Sequence, residues 1–234
     1  MRSQNKEIKY KDILYSVNTE ENTAGVIGCT PNIHQIYIPR TIDQDSKEYD
    51  VTIILTNAFK KTRFKTIQFS SNSKIQTIDY CAFSYSTIKS ITIPSSVTLI
   101  GKQAFYGAKI QQILFLDDSK LQTIDKEAFR ESTIECISIP QTVTLIGEGA
   151  FYSCENFQRI EISNDSKLHT IEKHAFLNTI IESITIPSNL VDLKEEWHLY
   201  APKLTKIAVS PMNKRYCCYE DKMIIGKTCV DQSN

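Results

Sequence analysis

Two histidines, His169 and His174, stand five residues apart around residues 170–173. Imidazoles at short range suit zinc, but a closed site takes four ligands, and no acid or thiol stands beside them at ligand spacing. Asp117-Asp118 and Asn164-Asp165 carry oxygens of the kind calcium takes. Both pairs, and their third counterpart Ser71-Asn72, occupy equivalent places, so turn formation explains them better: Asp, Asn and Ser side chains bond to backbone two residues on. Cys217-Cys218 are vicinal thiols, yet a nucleophilic thiol needs a base or cation beside it, and none is adjacent in sequence. Asn164-Asp165-Ser166 is a glycosylation sequon, relevant only on a secreted chain. There is no phosphate-binding loop, no dinucleotide fingerprint and no G-x-S-x-G motif. The chemistry-bearing residues therefore point to no enzyme, no metal and no cofactor.

What positions these residues is a repeat. Thr123-Ile124-Asp125-Lys126-Glu127-Ala128-Phe129 recurs as T-I-x-x-x-A-F, and the Ala-Phe pairs begin at 58, 82, 104, 128, 150 and 175. A further step leads to Trp197, read as the aromatic of the last copy with Glu196 in place of Ala. Self-similarity at this period marks a solenoid, in which each unit buries its apolar flank only against its neighbours. Residues 33–38, 64–69, 88–93, 110–115, 134–139, 157–162, 181–186 and 204–209 share the form apolar-x-x-apolar-x-apolar. Alternation in their last three residues is the strand period. One such segment per coil of about 23 residues predicts one parallel strand per coil, stacked at ~4.8 Å.

The turns after these strands alternate in kind. Pro94, Pro140 and Pro187 end one set, and Ser73-Lys74, Ser119-Lys120 and Ser166-Lys167 mark the other, longer set. Proline ends pairing and presets the turn. The x-x-x-Ala-Phe segments are too short for a stable helix alone, so a 3₁₀ or single helical turn is expected there. Phe59, Phe83, Phe105, Phe129, Phe151 and Phe176 should then stack as an internal spine closed by Trp197. Residues 41–49, a charged insertion in the first coil, are expected on a surface loop. The resulting division is an N-terminal cap over 1–30 (a hairpin of 13–17 and 24–27), a solenoid of about eight coils over 31–209, and a C-terminal hairpin cap over 210–234, all one structural domain.

The chain of 234 residues carries 27 basic and 27 acidic residues. Zero formal net charge gives no electrostatic footprint for nucleic acid or an anionic membrane. Residues 1–11 are polar without the apolar core of a signal peptide, and no run approaches the roughly 18 apolar residues of a membrane span. The seven cysteines (29, 81, 136, 154, 217, 218 and 229) are odd in number and lack metal-type spacing. Mostly reduced, buried thiols are expected, with a disulfide inside the C-terminal trio as the alternative.

Ile88-x-x-Ile91-x-Ile93-Pro94-x-x-Val97-x-x-Ile100-Gly101-x-x-Ala104-Phe105 resembles the Treponema-type leucine-rich repeat of BspA-like proteins, and the likeness extends over about residues 33–209. Tyr152-Ser153-Cys154, following Ala150-Phe151, resembles the cysteine often found at that family position. The resemblance implies a right-handed, mainly β leucine-rich-repeat array with its parallel sheet on the concave side. It also implies a surface or secreted protein that binds host matrix proteins or other cells. The asparagine ladder of other leucine-rich repeats is missing, so long convex-side helices are not implied.

The middle polar positions of each strand point away from the core. They nominate Tyr37, Gln68, Thr92, Gln112, Leu114, Ser138, Arg159, Glu161, Thr185 and Lys206 as a face for a protein partner. The leading expectation is an adhesin-like, cell-surface binding module. The alternatives are a cytoplasmic scaffold of the same fold, which the missing leader motivates, and a self-assembling homo-oligomer.

Overall fold

A computed structural model of the chain describes residues 6–220 and 223–226. Eight strands of the predicted kind appear: Gln35–Ile38, Thr66–Phe69, Ser90–Ile93, Gln112–Phe115, Cys136–Ser138, Arg159–Glu161, Ser183–Ile186 and Lys206–Val209. Alternation decides which way each side chain points. In Ser90–Ile93, Ile91 and Ile93 are buried while Ser90 and Thr92 face out. Pairing is parallel and in register, with Gln35 opposite Thr66, Ser90 opposite Gln112 and then Cys136 and Arg159, and Ser183 opposite Lys206. The ladder is interrupted after Thr66–Phe69 and after Arg159–Glu161.

Every coil but the last also has a second strand that the sequence did not announce. Thr77–Ile78, Leu99–Ile100, Thr123–Ile124, Leu145–Ile146, Thr170–Ile171 and Asp192–Leu193 form a second parallel ladder. Two residues cannot display a period-two alternation. They are strands only because the neighbouring coil supplies their hydrogen bonds. This ladder continues through Lys47–Ile54 into Thr23–Cys29, Ile13–Asn18 and Lys6–Tyr10, and with Thr41–Gln44, which pairs with Lys47–Ile54 beside that path, it makes a sheet of 11 strands. The N-terminal cap thus has three antiparallel strands rather than two, and its last strand joins the solenoid sheet directly.

The segment expected as a surface loop, 41–49, is a hairpin. Thr41–Gln44 pairs antiparallel with Lys47–Ile54. Ile42 and Tyr49 alternate inward to 0% and 5% exposure. Asp45 and Ser46 at the tip both have left-handed φ, 54° and 60°, the signature of a type I′ turn. The charges that suggested a loop occupy the outward half of a strand.

The Ala-Phe corner is neither a 3₁₀ nor an α-helical turn; no helix occurs among the described residues. Alternate N–H groups serve two coils. Ala82, Ser84 and Ser86 donate within their own coil to Asp79, Cys81 and Phe83 at 3.2, 3.1 and 3.1 Å. Cys81, Phe83 and Tyr85 donate to Lys102, Ala104 and Tyr106 of the next coil at 3.1, 2.7 and 2.8 Å. A helix would direct every N–H along its own axis, leaving none for the neighbour. Left-handed residues make the alternation possible: Cys81 (53°), Gln103 (57°) and Glu127 (55°) before the Ala, and Tyr85 (57°), Gly107 (62°) and Glu131 (57°) two after the Phe. A side chain in that conformation costs roughly 1–2 kcal/mol, which the cross-coil bonds offset.

The spine is present. Rings of Phe83, Phe105, Phe129, Phe151 and Phe176 follow one another at 5.1, 5.2, 5.3 and 5.4 Å, within 11° of parallel, and Phe59 joins at 5.2 Å. Trp197 closes it edge-on to Phe176 at 6.0 Å, but not from the expected place. Phe176 N–H donates to the Trp197 carbonyl, as Phe151 N–H donates to that of Ala175. Trp197 therefore stands at the Ala position, and Glu196 (φ 58°) takes the left-handed place before it. His198 takes the Phe place, its ring 4.3 Å from the indole. An indole is long enough to reach the spine from one residue earlier.

Both turn kinds work as read. Val97, Val143 and Leu190 donate back to Pro94, Pro140 and Pro187, whereas Ile75, Leu121 and Leu168 donate to the hydroxyls of Ser73, Ser119 and Ser166. The C-terminal hairpin, Tyr216–Tyr219 with Met223–Gly226, covers the last coil. Buried Asn213 fastens it: its amide donates to Pro187 and Leu190 carbonyls at 2.6 and 3.0 Å, and its oxygen accepts from Arg215 and Tyr216 N–H at 2.8 Å each.

Candidate functional site

Register turns the outward strand positions into two rows crossing the coils. One row reads Gln35, Thr66, Ser90, Gln112, Cys136, Arg159, Ser183 and Lys206; the other reads Tyr37, Gln68, Thr92, Leu114, Ser138, Glu161, Thr185 and Ala208. All ten residues nominated from the sequence lie on this face, exposed except for half-buried Thr185. They do not form one cluster, because each coil contributes only one or two of them and the ends are seven coils apart. Two local features stand out.

The first is charged. Arg159 Nε lies 3.5 Å from Glu161 Oε1, and Ser138 Oγ of the preceding coil donates to Glu161 Oε2. The pair is neutral as a unit and exposed, so it adds little stability to the fold. The second is apolar. A groove of about 440 Å³ lies between Tyr37, Phe69, Pro94 and Leu116 over Ile67, with Gln68 and Thr92 also lining it. Tyr37, Leu114 and Leu116 are among the most exposed large apolar side chains, at 52%, 55% and 44%. Of this groove's lining the sequence nominated Tyr37, Gln68 and Thr92 but not Phe69, Pro94 or Leu116. The signal was there: Leu116 follows its strand where other coils place Pro or Ser.

The other chemistry-bearing residues are dispersed. His169 Nδ1 lies 2.7 Å from the Lys167 carbonyl, and His174 Nε2 lies 3.0 Å from Glu196 on the Ala-Phe corner. Among the described residues no three His, Cys, Asp or Glu side chains gather as metal ligands would. Cys81 and Cys154 are buried, while Cys29, Cys136, Cys217 and Cys218 are half-buried. The Cys218 thiol donates to the Ile207 carbonyl at 2.9 Å; Cys229, the third member of the C-terminal trio, lies outside the described residues. No helix among the described residues is long and apolar enough to cross a membrane.

Fold and face together define a β-solenoid repeat protein with an extended in-register surface. The family model described as "BspA type leucine rich repeat region" matches in six copies over residues 52–133 and 76–205. The chain belongs to that family of leucine-rich-repeat proteins. Its structure is similar to that of the pneumococcal vaccine antigen PcpA (TM-score 0.71, 26% identity), covering 95% of this chain and 54% of that one. It also shares its fold with a leucine-rich cell-surface protein of Faecalibacterium prausnitzii (TM-score 0.64, 19% identity, 98% of this chain and 60% of that one). The leucine-rich-repeat protein of T. pallidum matches as well (TM-score 0.58, 18% identity, 89% and 90%). The chain spans little more than half the length of the first two. No curated protein matches the sequence.

Proposed function

We propose that the chain is a non-enzymatic protein-binding module acting at a cell surface or outside the cell, where it engages a host-matrix or cell-surface protein through its strand face. The observation that carries this reading is the Tyr37–Leu116 groove. A face with no partner would carry Thr and Ser throughout; this one collects exposed aromatic and aliphatic side chains in coils whose strand residues are otherwise uncharged. Interface centres have that composition, enriched in aromatics and depleted of charge. The groove also lies on the kind of extended surface that repeat proteins use for partners. Support for the surface location comes from the 26% identical relative, which is a vaccine antigen.

The test is binding of the immobilised chain to matrix proteins and to intact cells. Tyr37→Ala combined with Leu116→Ala should weaken binding by about tenfold or more, as removal of a central anchor does. Glu161→Gln should cause a smaller loss that fades as salt screens the Arg159 pair. Binding to none of the matrix proteins or cells would remove the adhesive role. Unchanged affinity in the double variant would move the contact off this face.

A further inference from the structure

Zero net charge conceals a segregation along the array. Residues 51–116 contain eight Lys or Arg and one acid, Asp79, whereas residues 117–200 contain seven Lys or Arg and fifteen Asp or Glu. The structure puts part of this segregation on one line. Directly before each strand's outward pair stands a rim residue, and these form a column: His34, Lys65, Lys89, Gln111, Glu135, Gln158, Glu182 and Thr205. Except between Lys65 and Lys89, where the ladder is interrupted, its members are tied through the backbone. Lys65 donates to His34, Gln111 to Lys89, Glu135 to Gln111, Gln158 to Glu135, Glu182 to Gln158 and Thr205 to Glu182, at 2.8–3.2 Å. All except half-buried Gln111 are exposed. Arg63 and Lys109 flank the basic half of this rim, and Glu155 flanks the acidic half, whose far end also carries exposed Lys203. None of Arg63, Lys65, Lys89, Lys109, Glu155 or Glu182 takes part in an ion pair among the described residues.

The pattern is antisymmetric about its middle, between Gln111 and Glu135. A two-fold contact between identical chains requires that property, because residue i must meet j while j meets i. We infer that the rim is a self-complementary surface on which two copies of this chain associate side by side with their coils running in opposite directions. Lys65 of each copy then faces Glu182 of the other, Lys89 faces the coil of Gln158 and Glu155, and the Gln111–Glu135 pair, whose amide already donates to its carboxylate at 2.9 Å within each chain, meets its copy at the axis. A linear polyanion would use the basic half alone and be repelled by the acidic half of the same rim; a second copy uses both. Beside the rim, the Ala-Phe corners expose Tyr85 (45%) and half-bury Tyr106 and Tyr152. These rings supply the apolar contact that charges alone lack. The rim borders the strand face without including the Tyr37–Leu116 groove, so the association stands apart from the partner-binding reading.

Sedimentation velocity on the full chain tests this. At low salt the chain should dimerise, with affinity falling at least tenfold as salt is raised through the range where the Debye length drops from about 30 to 8 Å. The variants K65E/K89E and E135K/E182K should each be monomeric, since the column of residues directly before the strands becomes single-signed in each, and an equimolar mixture of the two should regain dimers. A wild-type chain that stays monomeric at low salt overturns the proposal. So do variants that dimerise like wild type, or a mixture that stays monomeric while both variants retain wild-type melting. Retention of a monomeric wild-type chain on a sulfated-polysaccharide matrix, lost in K65E/K89E, would replace the second copy with a polyanion.

Discussion

The rings of Phe105 and Phe129 lie 5.2 Å apart and 8° from parallel, although 24 residues separate them in sequence. Each ring is fully buried, with Phe129 stacked between Phe105 and Phe151. The contact depends on each coil returning to the same angular position, and it accompanies the backbone bond from Phe105 N–H to the Ala128 carbonyl at 2.7 Å.

Phe129→Ala would remove a ring with neighbours on both sides and leave a cavity mid-array. The expected loss is ~3–5 kcal/mol, read by denaturant melting. Trp197→Ala, at the end of the spine where the indole has Phe176 on one side only, should cost less. Equal losses at the two sites would contradict a stacked spine.

Gly147 and Gly149 should respond differently to alanine. A Cβ on Gly147 would come within 2.7 Å of the Asp125 and Lys126 backbone, which cannot swing aside. Gly147→Ala is expected to destabilise by roughly 1–3 kcal/mol. Gly149 has φ +60°, but a Cβ there would make only ordinary contacts, 3.5 Å from Glu127 Cγ and 3.6 Å from Tyr152 Cβ, and Cys81, Gln103, Glu127 and His174 hold the same place in other coils. Gly149→Ala should therefore cost only the left-handed backbone term, ~1 kcal/mol.

Burial pushes the Cys154 thiol up to about 12 from its ordinary 9.0, and its Sγ donates to the Phe129 carbonyl at 2.9 Å. Below pH 9 both folded and unfolded chains hold a neutral thiol, so the full stability is present. As pH rises from 9 toward 12 the unfolded chain loses its proton first, and stability falls. Cys154→Ala should show a shallower decline over that window than wild type, measured by melting at a series of pH values. Native Cys154 should also resist alkylation at pH 8 until denaturant is added.

Asn213→Ala would strip two donors and one shared acceptor from the base of the C-terminal cap. Leaving the Leu190 carbonyl without its Asn213 donor, and the Pro187 carbonyl with only its bond from Leu190 N–H, should cost ~1–3 kcal/mol. Limited proteolysis should then cut between 210 and 226 well before the coils. Tyr216→Phe removes the hydroxyl that accepts from Leu193 N–H at 3.1 Å and donates to the Val191 carbonyl at 3.2 Å. It should speed amide exchange at Leu193 with little effect on global melting.

The repeat, the strand carrying the face, the Phe spine, the two kinds of turn and the C-terminal hairpin were all legible in the order of residues. A solenoid writes its contacts at a fixed separation, and Ile-x-Ile and Ala-Phe recur at that separation whatever the rest of each coil contains. Four things were decided only by folding. The two-residue strands such as Leu99–Ile100 exist because a neighbouring coil completes their hydrogen bonds. The Ala-Phe corner avoids a helix because half its N–H groups are needed by the next coil. Residues 41–49 form a hairpin because Ile42 and Tyr49 find a core that their charged neighbours concealed. Trp197 reaches the spine from the Ala position because side-chain length, not register, sets where a ring ends up. The rim charges belong with these: a net charge is a sum over the chain, whereas attraction and repulsion depend on which of its members the coils bring onto one line.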